Sequence, residues 1–347
     1  QSSRFPNMRP KWLMTMPDGS IMLEKSVSKF EVSLFDKIYV VALKEHIEKH
    51  TNKNLLIKSL KKNISKKVEL VILKKRTSCP TETIINLLKI KKLSGSILIK
   101  DCDNQFNISK HDLRGKTLKN SIYAINVKSL DLIDAKNKSY IQTNNDDLVI
   151  NIIEKSVISD LFCCGAYCFE NVDDFYKYGS QLLKKSKNVF ISHIILKMIL
   201  EGNEFKYKKA FNYSDWGTWE EFKKWKERYL TIFCDFDGCL VNNGSKFGKI
   251  GWRTRTINNN LIALKELQKK KNIHLILTTS RPKNEIPFIK KILKKYSIVF
   301  KTIITDLPHS KRILINDFAG SNPFPTAISL NTERDSLNLS RMLRELS

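Results

Sequence analysis

Long apolar runs are missing from this 347-residue sequence. None reaches the roughly 18 residues that a membrane-spanning helix requires. No secretory signal opens it either. The first residues, QSSRFP, carry no Met and read as a loop, so a preceding N-terminal segment is expected. Zinc spacing is absent: the CCxxxC at Cys163, Cys164 and Cys168 has no companion pair. The seven cysteines are odd in number and several sit in apolar runs, which fits buried, reduced thiols in a cytoplasmic protein. No Gly/Ser/Pro-rich linker and no internal repeat divides the chain. Acidic charge is scarce, with 35 Asp and Glu against 61 Lys and Arg, for a net charge of +26. Three readings of that excess compete. A nucleic-acid surface would interleave basic residues with aromatics. Anionic small substrates also favour a basic surface. A general Lys/Asn/Ile bias leaves only solvated faces. The excess is mostly Lys among Asn and Ile, so nucleic acid is not an expected partner.

What is present is enough chain for two ordinary domains, with 41% hydrophobic residues. The stretch around which it is organised is LTIFCDFDGCL at 230–240. An apolar, partly β-branched run leads into Asp235, Phe236, Asp237 and Gly238, which reads as a buried strand. Open α/β sheets place their chemistry at the C-terminal ends of strands, and Gly238 permits a sharp turn there. Two acids in a turn are also compatible with a helix cap. Downstream come a helix at 258–271 and a strand at 273–277 running into Thr278, Thr279, Ser280, Arg281 and Pro282. A helix at 287–295 and strands at 300–304 and 312–315 follow, the last ending in Asn316 and Asp317. The tail, 331–346, reads as an amphipathic helix docking on the sheet through Leu337, Leu339, Met342, Leu343 and Leu346. Trp219, Phe222 and Trp225 line one face of a helix at 219–228, immediately before the opening strand. This divides the chain into domains 1–227 and 228–347, expected to be in fixed contact.

The constellation Asp235-Phe236-Asp237-Gly238, Thr279, Lys311 and Asp317 resembles the haloacid-dehalogenase-like phosphatase superfamily. That resemblance implies a Rossmann-like domain in which Asp235 attacks phosphorus and forms an aspartyl-phosphate. Asp237 would act as acid and base, and Thr279 would hydrogen-bond the phosphoryl oxygens. Lys311 would offset their charge, with Arg312 as its substitute one residue on. Mg2+ would lie between Asp235, the Asp237 carbonyl and Asp317. The short interval from Asp237 to Thr279 leaves no room for a large cap, and His309 lies close enough in sequence to Lys311 to touch substrate.

Residues 1–227 alternate strand-like and helical runs, which predicts βαβ units and a mostly parallel sheet. Strands are expected at 37–43, 68–73, 96–100, 123–127 and 148–153, and helices at 43–50, 81–90, 172–185 and 193–201. Lys136–Lys138 and 142–147 read as polar turns. Arg4, Arg9 and Lys11 place cations ahead of the first helix, either as a polyphosphate-holding loop or as a plain basic terminus. Asp101 and Asp103 follow a strand. Asp215 precedes the helix at 219–226 in Ser214-Asp215-Trp216-Gly217-Thr218. With Arg9-Pro10-Lys11, Pro17-Asp18-Gly19, Asp103-Asn104, Glu154-Lys155 and Gly165-Ala166-Tyr167, these motifs resemble the sugar-phosphate nucleotidyltransferases in their order. The resemblance implies an α/β fold of the GT-A/Rossmann-like kind. It implies Mg2+ on Asp103 and Asp215, with Asp101 a further candidate. Arg4 and Lys11 would lie on a nucleoside triphosphate, and Lys155, oriented by Glu154, on the acceptor phosphate. Thr81, Glu82 and Thr83 fall where a nucleobase-side loop is expected. The family's first strand and leading glycines are absent from the sequence.

Together the two resemblances imply a bifunctional enzyme of surface-polysaccharide (capsule or lipopolysaccharide) precursor synthesis. Its substrates would be an NTP and a sugar or polyol phosphate, and its metal Mg2+. A phosphatase with a non-catalytic nucleotide-sugar-binding scaffold is the alternative, and a basic nucleic-acid-binding protein a third.

Overall fold

The computed structural model describes residues 9–109, 111–113, 118–130, 137–317 and 326–346. The chain forms two compact units, Gln1–Phe222 and Lys223–Ser347.

In the first unit, α1 (Met22–Val27) follows a turn at Gly19, whose φ of 84° suits glycine. Strand β1 (Ile38–Leu43) leads to α2 (Lys44–His50) and α3 (Lys53–Asn63). Asn52 caps α3 by accepting from the amides of Asn54 and Leu55, and Lys61 and Lys62 face its negative end. Strand β2 (Val68–Leu73) then pairs parallel to β1 from Ile38–Val68 to Leu43–Leu73. Helix α4 (Pro80–Lys91) starts with Pro at its first position, where no amide is needed. Thr81, Glu82 and Thr83 therefore lie in its first turn and not in a loop, which corrects the expected base-side loop.

The remaining elements are β3 (Ile97–Lys100), β4 (Asn104–Asn107), β5 (Ser121–Asn126), β6 (Ser139–Thr143), β7 (Val149–Glu154), β8 (Leu161–Phe169), α5 (Val172–Lys185), α6 (Ile191–Leu200), β9 (Lys206–Lys209) and β10 (Phe211–Asp215). Six of these strands form one sheet, in the order β7-β6-β8-β5-β9 with β3 also on β8. Only β5 and β9 run parallel in it. The expected mostly parallel sheet is therefore corrected to a mixed one. The reason is connection length. Between β6 and β7 the chain turns at Asn144, whose side chain accepts from the amides of Asp146 and Leu148. So short a link permits only an antiparallel hairpin.

The sheet separates two cores. One holds Ile122, Ile152, Phe169, Phe175 and Ile194, and the other Phe30, Phe106, Tyr123, Tyr140 and Phe162. A smaller core lies around β1, β2 and α3 through Val40, Leu56 and Leu60. Asp215 lies opposite Asn104 in an antiparallel β4–β10 ladder.

Helix α7 (Trp219–Lys226) carries the chain into the second unit. There β11 (Tyr229–Asp235), α8 (Asn258–Lys270), β12 (Asn272–Thr278), α9 (Ile286–Lys295), β13 (Thr302–Ile304) and α10 (Asn338–Glu345) follow. The parallel sheet β11-β12-β13 packs Cys234, Leu275 and Leu277 with Leu264, Leu267, Ile289 and Leu343. The strand expected at 312–315 is absent: that segment is irregular, with Ile313, Leu314 and Ile315 exposed. The tail helix is shorter than expected and packs against α8, with Leu339 and Leu343 buried and Leu337 exposed.

Candidate functional site

In the first unit a cavity of about 560 Å³ gathers Lys11, Asp101, Asp103, Lys138, Ser139, Glu154, Lys155, Ser192, Tyr213, Asp215 and Glu221 among its lining. The ladder between β4 and β10 is what brings the aspartates together. It continues through the Trp216 amide, which donates to the Asp103 carbonyl at 2.9 Å. Both carboxylates approach Gly217. A Cβ there would lie 3.0 Å from Asp215 Oδ1 and 3.9 Å from Asp103 Oδ2.

Each aspartate is paired with a lysine. Lys11 Nζ lies 2.9 Å from Asp103 Oδ2 and also donates to the Gly217 carbonyl. Lys138 Nζ pairs with Asp215 Oδ2 and reaches Tyr213 Oη at 3.3 Å. Burial works to raise the Asp103 carboxyl, but the Lys11 ammonium and its hydrogen bond hold it below the ordinary range. Burial works to lower the Lys138 ammonium, but Asp215 outweighs it and leaves Lys138 raised. Asp101, enclosed beside Asp103, is raised by burial first and by its neighbour's charge second.

Glu154 accepts hydrogen bonds from the hydroxyls of Ser139 and Ser192, the latter at 2.6 Å. Lys155 lies 4.7 Å over the ring of Phe190, on a backbone with φ of 56°. Glu154 is thus held by two serines and does not orient Lys155, which corrects that expectation. Arg4 lies outside the described residues. Lys138, the two serines and Tyr213 escaped the sequence reading because Lys138 sits in what reads as a polar turn and the others carry no spacing signal.

In the second unit β11 delivers Asp235 and the turn after it delivers Asp237. Both Asp237 oxygens are engaged. Thr279 Oγ1 donates to Oδ2 at 2.9 Å, and the Arg281 fork donates to Oδ1 at 2.7 and 3.0 Å. Thr279 is fully buried and also accepts from the Arg281 amide. Where a hydrogen bond to phosphoryl oxygens is expected of it, its hydroxyl here donates to Asp237. Arg281 itself is fully buried, bonded to Trp252 O and Thr254 Oγ1, and packed between Phe236, Trp252 and Phe288. Its clue in the sequence was a cation directly after a buried strand.

The cation beside Asp235 is Arg312, whose Nη2 lies 3.3 Å from Oδ1. Lys311 is exposed and, among the described residues, forms no ion pair. The substitute one residue on thus takes the place expected for Lys311. Burial raises the Asp235 carboxyl, and Arg312 partly offsets that. His309 is exposed.

Mg2+ fits the two units differently. Hard cations are commonly held by one or two carboxylates together with substrate phosphates, and Asp103 and Asp215, converging on Gly217 inside a cavity, provide such a pair. In the second unit Asp317 is exposed and is not gathered with Asp235 and Asp237. Among the described residues no group of three or more His, Cys, Asp or Glu could hold a metal ion. The expected set of Asp235, Asp237 and Asp317 therefore does not fit the ion, because the segment carrying Asp317 does not extend the sheet.

No family model matches the sequence, and no curated protein does. Among solved structures, the nucleoside-diphosphate-sugar pyrophosphorylase from Vibrio cholerae RC9 is similar with a TM-score of 0.51 and 18% identity, covering 65% of this chain and 95% of that one. A UDP-glucose pyrophosphorylase complexed with UDP-glucose has a TM-score of 0.48 at 15% identity, over 64% of this chain and 92% of that one. The inositol-1-phosphate CTP transferase from T. maritima has 0.47 at 15%, over 61% and 82%. The Vibrio cholerae likeness is one of fold, an α/β architecture with mixed sheets. Among the described residues no helix is long and apolar enough to cross a membrane.

Proposed function

We propose that this chain is a bifunctional enzyme: an NTP:sugar- or polyol-phosphate nucleotidyltransferase in its first unit and a phosphatase in its second. The observation that carries the first activity is the pair of aspartates converging on Gly217, each with its own lysine, in one cavity. The fold shared with a nucleoside-diphosphate-sugar pyrophosphorylase supports the same reading. In the reaction a phosphate oxygen of the acceptor attacks the α-phosphorus of the triphosphate, and the bond to pyrophosphate breaks. Charge spreads over the phosphate oxygens, so preorganised cations lower the barrier. Lys11 and Lys138 stand beside that charge. Lys155, exposed at the cavity wall, would meet the acceptor phosphate. When bound, Mg2+ would be held by Asp103 and Asp215 and would supply Lewis-acid neutralisation of phosphate charge.

The second activity assigns Asp235 as nucleophile. Its carboxylate attacks phosphorus and the ester oxygen leaves with a proton from water; the Asp237 carboxylate, held by Thr279 and Arg281, then takes the proton of the water that cleaves the aspartyl-phosphate. Thr279 and Arg281 keep Asp237 oriented. A role in surface-polysaccharide precursor synthesis in the cytoplasm is the setting this pairing implies, one unit trimming a phosphate and the other activating the phosphate that remains.

The test is a screen of four NTPs against sugar and polyol phosphates, following pyrophosphate and phosphate release together. NTP-dependent pyrophosphate release is expected with one acceptor class. Its absence with every NTP would leave the first unit a binding scaffold.

A further inference from the structure

The C-terminal segment is built across the turn that carries Asp235 and Asp237. The Asp335 amide donates to the Gly238 carbonyl at 2.9 Å, and Asp335 Oδ1 accepts from the Asn243 amide at 2.6 Å. Behind this contact, Asn260 is fully buried on α8. Its Nδ2 donates to the Cys239 carbonyl at 2.8 Å and to the Ser336 carbonyl at 2.9 Å, and its Oδ1 accepts from the Ser340 amide at 3.0 Å. One buried carboxamide thereby ties the turn after β11 to the start of α10. Residues 334–336 form a strap held at Asp335 and Ser336.

Arg334 leads that strap. Its Cγ lies 2.9 Å from where a Cβ on residue 238 would sit, so its stem crosses Gly238 at a distance that only glycine allows. Gly238 also has φ of 78°. The side chain is exposed, and among the described residues Arg334 forms no ion pair. The other cations of this unit's site are accounted for. Among the described residues Arg281 pairs with Asp237, Lys311 forms no ion pair, and Arg312 is the cation paired with Asp235. Placing a phosphoryl dianion against an ionised Asp235 sets like charges together, and one guanidinium at 3.3 Å leaves that repulsion only partly offset. Arg334 is the further cation whose charge reaches Asp235, acting with Arg312 against the effect of burial.

We propose that Arg334 is a phosphate-binding residue of the Asp235 site, which with Arg312 forms a two-guanidinium clamp on the phosphoryl group of a phosphate monoester. The 334–336 strap and Asn260 set its position over the Asp235–Gly238 turn. Guanidinium forks suit phosphate oxygens through paired, charge-assisted hydrogen bonds. The inference deepens the phosphatase reading and rests on it.

The test uses the full chain and inorganic phosphate as probe. Calorimetric titration of wild type and Arg334→Gln is expected to show binding weakened about tenfold in the variant, the scale of a lost charge-assisted hydrogen bond. Anion binding elsewhere on this basic chain is common to both proteins and cancels. Arg334→Lys is expected to recover part of the loss, since it restores charge without the fork. The Tm of Arg334→Gln should match wild type, because the side chain is exposed. Unchanged phosphate affinity in Arg334→Gln, or no phosphate binding by the wild type, would overturn the proposal. A fall in Tm with unchanged affinity in the folded protein would do the same, as it marks a structural role. Phosphate release by Asp235→Asn is the separate arm. If it equals wild type, the phosphatase reading fails, whatever Arg334 does.

Discussion

Arg281 has no access to solvent, yet it carries a full charge. It is stable there because Asp237, Trp252 O and Thr254 Oγ1 take its donors, and three aromatic rings enclose its faces. Removing one member of a buried pair leaves the other uncompensated, at a cost of roughly 3–5 kcal/mol. Arg281→Met is therefore expected to destabilise the protein by about 3 kcal/mol in urea unfolding. It should also lower phosphate release, because Asp237 loses two of its donors. Arg281→Lys should recover little of either, since a point charge cannot reproduce the fork. Unchanged stability in Arg281→Met would mean that Asp237 is not held as the geometry shows. Asp235 and Asp237 were legible from their place after an apolar run. The arginine that fixes Asp237 was not, because its partner lies 44 positions away and no local spacing encodes the pair.

At the scale of elements, the alternation of apolar and helical runs located most strands and helices closely. Val172–Lys185 is an example, with Asn171 capping it through the Asp173 amide and Lys184 and Lys185 at its far end. Pairing direction was less legible, since it depends on the length of the link. The Asn144 turn between β6 and β7 excludes a crossover, and that was decisive for a mixed sheet. The 312–315 run was misread because Ile313, Leu314 and Ile315 have strand-like chemistry, yet here they stay in solvent. The tail shows the converse, since α10 is short and is attached by Asn260 as well as by Leu339 and Leu343. Asn260→Leu removes three hydrogen bonds and strands the Cys239 and Ser336 carbonyls, while the Ser340 amide keeps its bond to the Leu337 carbonyl. It is expected to cost about 2–3 kcal/mol and to accelerate hydrogen exchange across α10 more than across β12. Equal exchange in the two elements would show that apolar packing alone secures the tail.

For the whole molecule, the question is whether one chain carries two chemistries. The two sites use different groups. The first sets Asp103 and Asp215 against Lys11 and Lys138 in a cavity lined entirely from the first unit. The second sets Asp235 and Asp237 beside Arg312 and Arg281, all within the second unit. Substitutions at one should therefore leave the other's chemistry intact, as expected for sites with no shared partner. Asp215→Asn is expected to abolish NTP-dependent pyrophosphate release and to leave phosphate release within about twofold of wild type. The bound of twofold corresponds to the few tenths of a kcal/mol by which independent sites depart from additivity. Asp235→Asn is expected to give the reverse pattern. Chelation of divalent metal should also abolish pyrophosphate release, because the Asp103–Asp215 pair would hold Mg2+ against the substrate phosphates. Loss of both activities in either variant, with folding intact by circular dichroism, would mean that the acids serve a single reaction and would overturn the assignment of one chemistry to each unit.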